Sequence, residues 1–270
     1  MIHNAAVPPF VDQFVESMAA RACYSMIDLF IGYDHHTLDV ASRDLTSFQT
    51  PLGAFHCTVL PHGATNAVAI FHGDVTFILT PEIPNVAKPF LDNIAIKGSV
   101  SHYETKDGGY DTIPENTGIR RFIWEHLNDV HRILHRFKHA GATASAPKLF
   151  IATPEVIVLS HKCTYEGRIP DDSKMAKIRS WPACKTVTDV HAFLGTAGTM
   201  RIWIKDFSTI ARPLVDLTRK DTEFSWTPQH NNAMNALKSV IADSSALIPI
   251  DYTTSCPVYL AVDSSWRAVG

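Results

Sequence analysis

Phe90-Leu91-Asp92-Asn93-Ile94-Ala95-Ile96 is the stretch on which the reading of this chain turns. Apolar residues stand on both sides of one carboxylate and its amide twin. The pattern predicts a buried strand, a tight turn and a second buried strand. A carboxylate at the tip of an apolar hairpin is costly to bury unless something positive meets it. Asp-Asn is also ordinary turn chemistry. Two readings follow: a plain hairpin, or a hairpin that presents an acid to a metal ion.

Upstream, Cys23-Tyr24-Ser25-Met26-Ile27-Asp28-Leu29-Phe30 predicts a second apolar strand with an acid of its own, Asp28, which also needs a partner. Between the two acids, residues 45–49 and 54–60 alternate in polarity. Thr50-Pro51-Leu52-Gly53 joins them with type I turn chemistry, giving a hairpin. Residues 65–79 carry Asn66, Ala67, Ile70, Phe71 and Val75 at helical spacing, and Pro81, Pro84 and Pro89 forbid helix beyond them. Near the start, Phe10, Phe14, Val15 and Met18 share one face of a short helix.

Downstream, residues 98–117 are polar and predict a mobile loop. Ile119, Phe122, Ile123, Leu127, Val130, Ile133, Leu134 and Phe137 then form the clearest apolar stripe, with Gly141 placed to end the helix. Residues 149–153 and 156–159 predict a further strand pair. Short helices follow Pro170, with Trp181-Pro182 as a stop and Thr227-Pro228 opening a helix to about residue 241. A last strand at residues 258–262 ends on Asp263.

At 270 residues the length suggests two domains, and 46% hydrophobic residues suffice for a packed core. Five cysteines, far apart and never in a Cys-x-x-Cys pair, favour reduced thiols in a cytosolic or nuclear setting. Met1-Ile2-His3-Asn4 lacks the features of a signal peptide, so secretion is not expected. No apolar run nears the roughly 18 residues of a membrane span. The net charge of -3 argues mildly against nucleic acid, but its distribution matters more. Residues 1–117 carry 5 Lys+Arg against 13 Asp+Glu, whereas residues 118–220 carry 17 against 9. An acidic segment before a basic one suits a metal site beside a phosphate-tracking surface.

The ordered motifs Asp28-Leu29-Phe30-Ile31-Gly32-Tyr33, Thr46-Ser47-Phe48-Gln49-Thr50-Pro51-Leu52-Gly53, Leu60-Pro61-His62-Gly63-Ala64-Thr65-Asn66-Ala67 and Phe90-Leu91-Asp92-Asn93 resemble the reverse transcriptase of gypsy-type LTR retrotransposons. The resemblance continues through His139-Ala140-Gly141-Ala142-Thr143, Lys148, Leu159-Ser160-His161, Phe193-Leu194-Gly195, Phe207 to Leu214 and Phe224-Ser225-Trp226-Thr227. Leu260-Ala261-Val262-Asp263-Ser264 looks like the opening strand of the tethered ribonuclease H. Nearly the whole chain is covered.

This resemblance implies an α+β right-hand polymerase fold: an antiparallel palm sheet backed by the helix of residues 119–137, truncated fingers, a helical thumb and connection, and a ribonuclease H-like stub. The implied divisions are residues 1–165 for partial fingers and palm, 166–220 for thumb and connection, and 221–270 for the ribonuclease H-like start. Asp28 and Asp92 are implied ligands of Mg²⁺ (or Mn²⁺) in two-metal nucleotidyl transfer. Lys148 is implied near the pyrophosphate as a proton donor. Tyr33 would lie under the sugar, and Pro61, His62, Gly63 and Asn66 beside the nucleotide and templating base. Leu159, Ser160 and His161 would grip the primer terminus. The implied partners are an RNA or DNA template-primer, deoxynucleoside triphosphates and the remainder of a Pol polyprotein, with no membrane.

The chain also departs from the family pattern. Asn93 stands where a second Asp is usual, and an amide brings no negative charge to a metal. His62 and Ala64 are unusual, Val68 replaces a Pro, and Ser160 stands where a primer-grip Gly is expected. The ribonuclease H portion carries one candidate ligand, Asp263. These departures lead to an expectation of weak or absent polymerase activity, with a non-catalytic nucleic-acid-binding or assembly remnant, or a functionless relic, as the alternatives. His131, His135 and His139 recur every four residues, a spacing that suits Zn²⁺ or Ni²⁺. Without a Cys or acid on that face they are read as solvated. No phosphate loop, Gly-x-Ser-x-Gly elbow or Asp-Thr-Gly triplet occurs.

Overall fold

The computed structural model describes residues 10–220 and 222–250, with scattered positions from 257 to 269. Asp263 and most of the strand expected at residues 258–262 lie outside the described residues.

In chain order, α1 (Val11–Glu16) leads into β1 (Tyr24–Asp28), a 3-10 turn at Gly32–His35, α2 (Val40–Arg43) and the hairpin β2 (Phe48–Thr50)–β3 (Gly53–Phe55). Then come α3 (Ala67–Leu79), the hairpin β4 (Ala87–Phe90)–β5 (Asn93–Lys97), and a smaller hairpin, β6 (Thr112–Ile113)–β7 (Asn116–Arg120). The long helix α4 (Arg121–His139) precedes β8 (Phe150–Thr153), β9 (Val156–Val158), β10 (His161–Thr164) and β11 (Gly167–Pro170). Four helices follow: α5 (Asp172–Arg179), α6 (Val187–Gly198), α7 (Phe207–Asp216) and α8 (Pro228–Ala242).

β1 is the centre of a four-stranded antiparallel sheet ordered β4-β5-β1-β8. All five of its residues are buried, because both faces of the sheet are covered. Ile27, with Leu29 just past the strand end, joins Ile94 and Ile96 in a core formed with Phe71, Val75 and Leu79 of α3 and Val130, Ile133 and Phe137 of α4. Tyr24 and Met26 point the other way, into a core with Phe14, Val15 and Met18 and with Val156, Val158 and Cys163 of the β9–β10–β11 sheet. Each fully buried aliphatic side chain contributes about 1.5–3 kcal/mol. Two helices, not one, back the sheet. Inside the α4 stripe, His126 is buried and hydrogen-bonds Ser25 Oγ of β1 at 2.7 Å, tying helix to strand.

α5 to α8 enclose a separate helical core around Ile178, Phe193, Leu214, Met234, Leu237 and Ile241. Thr227 and His230 cap the start of α8 reciprocally, as the Thr227-Pro228 pair leads one to expect. Two sequence expectations need correction. Residues 98–117 are not a plain loop: they bridge Glu104 to Tyr110 and supply the β6–β7 hairpin, whose anchor Ile113 is buried. Residues 149–159 do give two strands, but β8 pairs with β1 and β9 with β10, so they belong to different sheets. α7 and α8, on either side of residue 220, share one core through Leu214 and Leu237. No helix among the described residues is long and apolar enough to cross a membrane.

Candidate active site

The register of β1 against β5 sets Asp28 opposite Asn93. Asp92, the preceding residue, therefore sits at the same end of the sheet, and the Leu29 N–H donates to its carbonyl at 2.9 Å. Only Leu91 and Asp92 separate the paired residues Phe90 and Asn93, and Leu91 turns the chain with φ +58°. The Asn93 side-chain amide donates to Asp92 Oδ1 at 3.1 Å. Strand pairing thus brings two acids far apart in sequence to one end of the sheet.

Asp28 is only 7% exposed, and a buried carboxylate demands a countercharge. Lys148 supplies it: Nζ lies 3.1 Å from Oδ2 and 3.3 Å from Oδ1. Its delivery follows from the backbone. α4 ends at Gly141, whose φ of +73° turns the chain back. Phe30 N–H then donates to Thr143 O at 2.7 Å and Ser145 N–H to Asp28 O at 2.8 Å, and a 3-10 turn at Ala146–Lys148 completes the approach. The Lys148 side chain remains 64% exposed.

Tyr33 lies in the 3-10 turn after β1, stacked on Phe71 of α3 at 4.6 Å and tilted against His62 at 4.3 Å. Gly32 makes this possible, since a Cβ there would meet the Phe71 ring at 2.5 Å. Burial first, then the nearby Asp92 charge, raises the Tyr33 hydroxyl pKa, so the ring faces the acidic edge with its proton retained. Pro61, His62 and Gly63 form the turn before α3, and Asn66 is the residue at which that helix begins. Asp28, Asp92, Asn93, Lys148, Tyr33 and the Pro61–Asn66 segment therefore converge.

Leu159 and Ser160 form the two-residue turn between β9 and β10, at φ +48° and +68°. The left-handed region costs an L-residue about 1–2 kcal/mol, which is why glycine suits this position. His161 is buried, with its ring 5.0 Å from that of Trp203. Burial, reinforced by Arg168, pushes its pKa down to about 4. Among the described residues no hydrogen bond or ring contact links this turn to the Asp28 cluster. The His161 side chain packs beneath the turn and does not present itself to a ligand. Phe71 and Trp203, the rings that seat Tyr33 and His161, were not singled out as site residues in sequence. The helical spacing of Phe71 was the available signal.

Among the described residues no three of His, Cys, Asp and Glu converge as a metal site. The donors at this edge are two carboxylates and one amide. Mg²⁺ is commonly held by one or two protein carboxylates, the rest of its shell being water and substrate phosphate. Asp28 and Asp92 fit that pattern, and Asn93 adds a neutral oxygen at most.

No family model matches the chain. The retrovirus-related Pol polyprotein from transposon 412 of Drosophila melanogaster is 24% identical over 262 residues, covering 97% of this chain and 19% of that polyprotein. The transposon Tf2-7 polyprotein of Schizosaccharomyces pombe is 24% identical over 264 residues, covering 97% and 18%. The chain spans about a fifth of the length of these curated relatives. Among solved structures, a foamy viral protease-reverse transcriptase in complex with double-stranded DNA superposes with a TM-score of 0.79 at 22% identity, covering 93% of this chain and 40% of that one. The foamy viral protease-reverse transcriptase in complex with RNA/DNA hybrid gives 0.74 at 22% identity, covering 92% and 31%. The chain thus has retrotransposon Pol polyproteins for homologues and the fold of a reverse transcriptase.

Proposed function

We propose that this chain is the polymerase portion of a gypsy-type retrotransposon Pol polyprotein, an RNA-directed DNA polymerase that extends a primer at the Asp28–Asp92 edge of its palm. The observation that carries this reading is the β1–β5 register, which brings the two acids to one end of a rigid sheet. The reaction joins a primer 3′-oxygen to the α-phosphorus of a deoxynucleoside triphosphate and expels pyrophosphate. Asp28 and Asp92 would hold Mg²⁺ or Mn²⁺, which when bound supplies charge stabilisation to the attacking and leaving oxygens. Lys148, on its exposed stem at the same edge, would give a proton to the departing pyrophosphate. Tyr33, braced by Phe71 and with the tilted His62 ring beside it, would lie under the sugar. The basic residues between 118 and 220 would follow template-primer phosphates without reading sequence. The backbone of the Leu159–Ser160 turn would meet the primer terminus, with His161 as its support. Asp263 would open a ribonuclease H-like domain.

A second reading, a non-catalytic nucleic-acid-binding remnant, is favoured by one observation. Lys148 occupies both oxygens of Asp28 and offsets its charge, and the Asn93 amide occupies Asp92 Oδ1, so both acids are partly engaged from within. Primer extension on poly(rA)/oligo(dT) with Mg²⁺ or Mn²⁺ separates the two. The polymerase reading expects extension by wild type or by Asn93→Asp, lost in Asp28→Asn. If neither protein extends while both bind duplex in a salt-dependent way, the binding reading stands.

A further inference from the structure

We propose that His135 and His139, on the exposed last turns of α4, form a binding site for a divalent transition cation, with Zn²⁺ the best match. The site is separate from the acidic edge and holds whether or not the chain polymerises. Residues four apart on a helix lie one above the other, and here the two side chains converge until their Nε2 atoms are 3.3 Å apart. Two nitrogens each about 2.0–2.1 Å from a tetrahedral Zn²⁺ are separated by about 3.3–3.4 Å, so the pair already has the bite of a chelate. One proton can also bridge the nitrogens. In an exposed pair such a bond gains little, because each ring is equally served by water.

The surroundings favour a cation in three ways. Both residues lie in the last turns of α4, where the helix dipole presents its negative end. Two carboxylates balance the two neighbouring arginines: Arg132 donates to the buried Glu82 at 3.0 Å and to Asp129 at 2.6 Å, and Arg136 donates to Glu82 at 3.2 Å. An open groove of about 620 Å³, lined also by Ile78, Ala140 and His131, leaves room for water or a partner's ligand at the remaining coordination positions. The His131 ring stands 6.1 Å from that of His135, further than the 4.4 Å between His135 and His139, so His131 is a neighbour and not a ligand. Imidazole donors select Zn²⁺, Ni²⁺ or Cu²⁺ over Mg²⁺, which prefers oxygen.

The test is calorimetric titration of Zn²⁺ into the full chain in excess Mg²⁺, alongside the visible spectrum of added Co²⁺. One site per chain is expected, with a tetrahedral Co²⁺ band. His135→Ala and His139→Ala should each weaken binding by about tenfold or more, and His131→Ala should leave it unchanged. All three positions are exposed, so these variants should fold, and circular dichroism verifies it. The proposal is overturned if wild type takes up no Zn²⁺ at millimolar concentration, or if the His135→Ala/His139→Ala double variant binds as wild type does.

Discussion

Two hairpin tips, each a two-residue turn, are held in opposite ways. The β4–β5 tip carries Leu91 and Asp92, with Leu91 alone in the left-handed region, and the β9–β10 tip carries Leu159 and Ser160, both in it. The first is fixed by polar contacts: Leu29 N–H on the Asp92 carbonyl, Asn93 on the Asp92 carboxylate, and Lys148 on the facing Asp28. The second is fixed by packing, with Leu159 against the core that holds Phe14 and Met26, and His161 buried against Trp203. A polar tip can be reset by changing one charge. An apolar tip answers to volume, strain and burial, and its chemistry lies in the backbone it presents.

If the first tip is a charge device, charge-only substitutions there should have the largest effects. Asp28→Asn keeps the shape and removes half of the acidic pair, so primer extension should fall by about 10³-fold or more. Asn93→Asp restores a third carboxylate and removes the donor resting on Asp92, and extension should rise by about 10²-fold, most visibly with Mn²⁺. Equal activity of Asn93→Asp and wild type would break the contrast on the polar side.

At the second tip the readout is stability. Folded His161 resists protonation until about pH 4, whereas in the unfolded chain it titrates near 6.5. Its contribution is therefore complete above pH 6.5 and is lost as pH falls toward 4. Across that window unfolding free energy should drop by about 1.4 kcal/mol per pH unit from this group. Denaturant unfolding of wild type and His161→Phe at pH 7 and pH 5 measures it, and the variant should lose that part of the slope. The smallest effect belongs to Ser160→Gly, which relieves the left-handed strain and should stabilise by up to about 1 kcal/mol, or roughly 2–4 °C in Tm.

Much of this was legible in sequence because it is periodic or local. The hairpin around Asp92, the α4 stripe, the Gly141 stop and the Thr227-Pro228 cap each depend on neighbours a few residues apart, and each formed. The meeting of Asp28 with Asp92 came from family resemblance and is realised through strand register. What sequence could not give was the choice of partner. β8 and β9 are adjacent in the chain, yet the free edge of β1 captures one and β10 the other. Residues 98–117 look like a loop because Ile113 is the one buried apolar side chain among them, too little apolar content for a strand pattern. Lys148 reaches Asp28 across 120 positions, a contact that no periodicity encodes. His126 and His161 are polar side chains and are nonetheless buried, because Ser25 and Trp203 meet them from other elements.

The central claim is that Asp28 and Asp92 together hold a catalytic cation at the edge of the palm. Electron paramagnetic resonance of Mn²⁺ bound to the chain with template-primer and a non-hydrolysable nucleotide tests it most directly, in wild type, Asp28→Asn and Asp92→Asn. Wild type should hold Mn²⁺ that both variants lose to the same extent, each leaving the other acid alone. Mn²⁺ uptake unchanged in either variant would contradict the shared site.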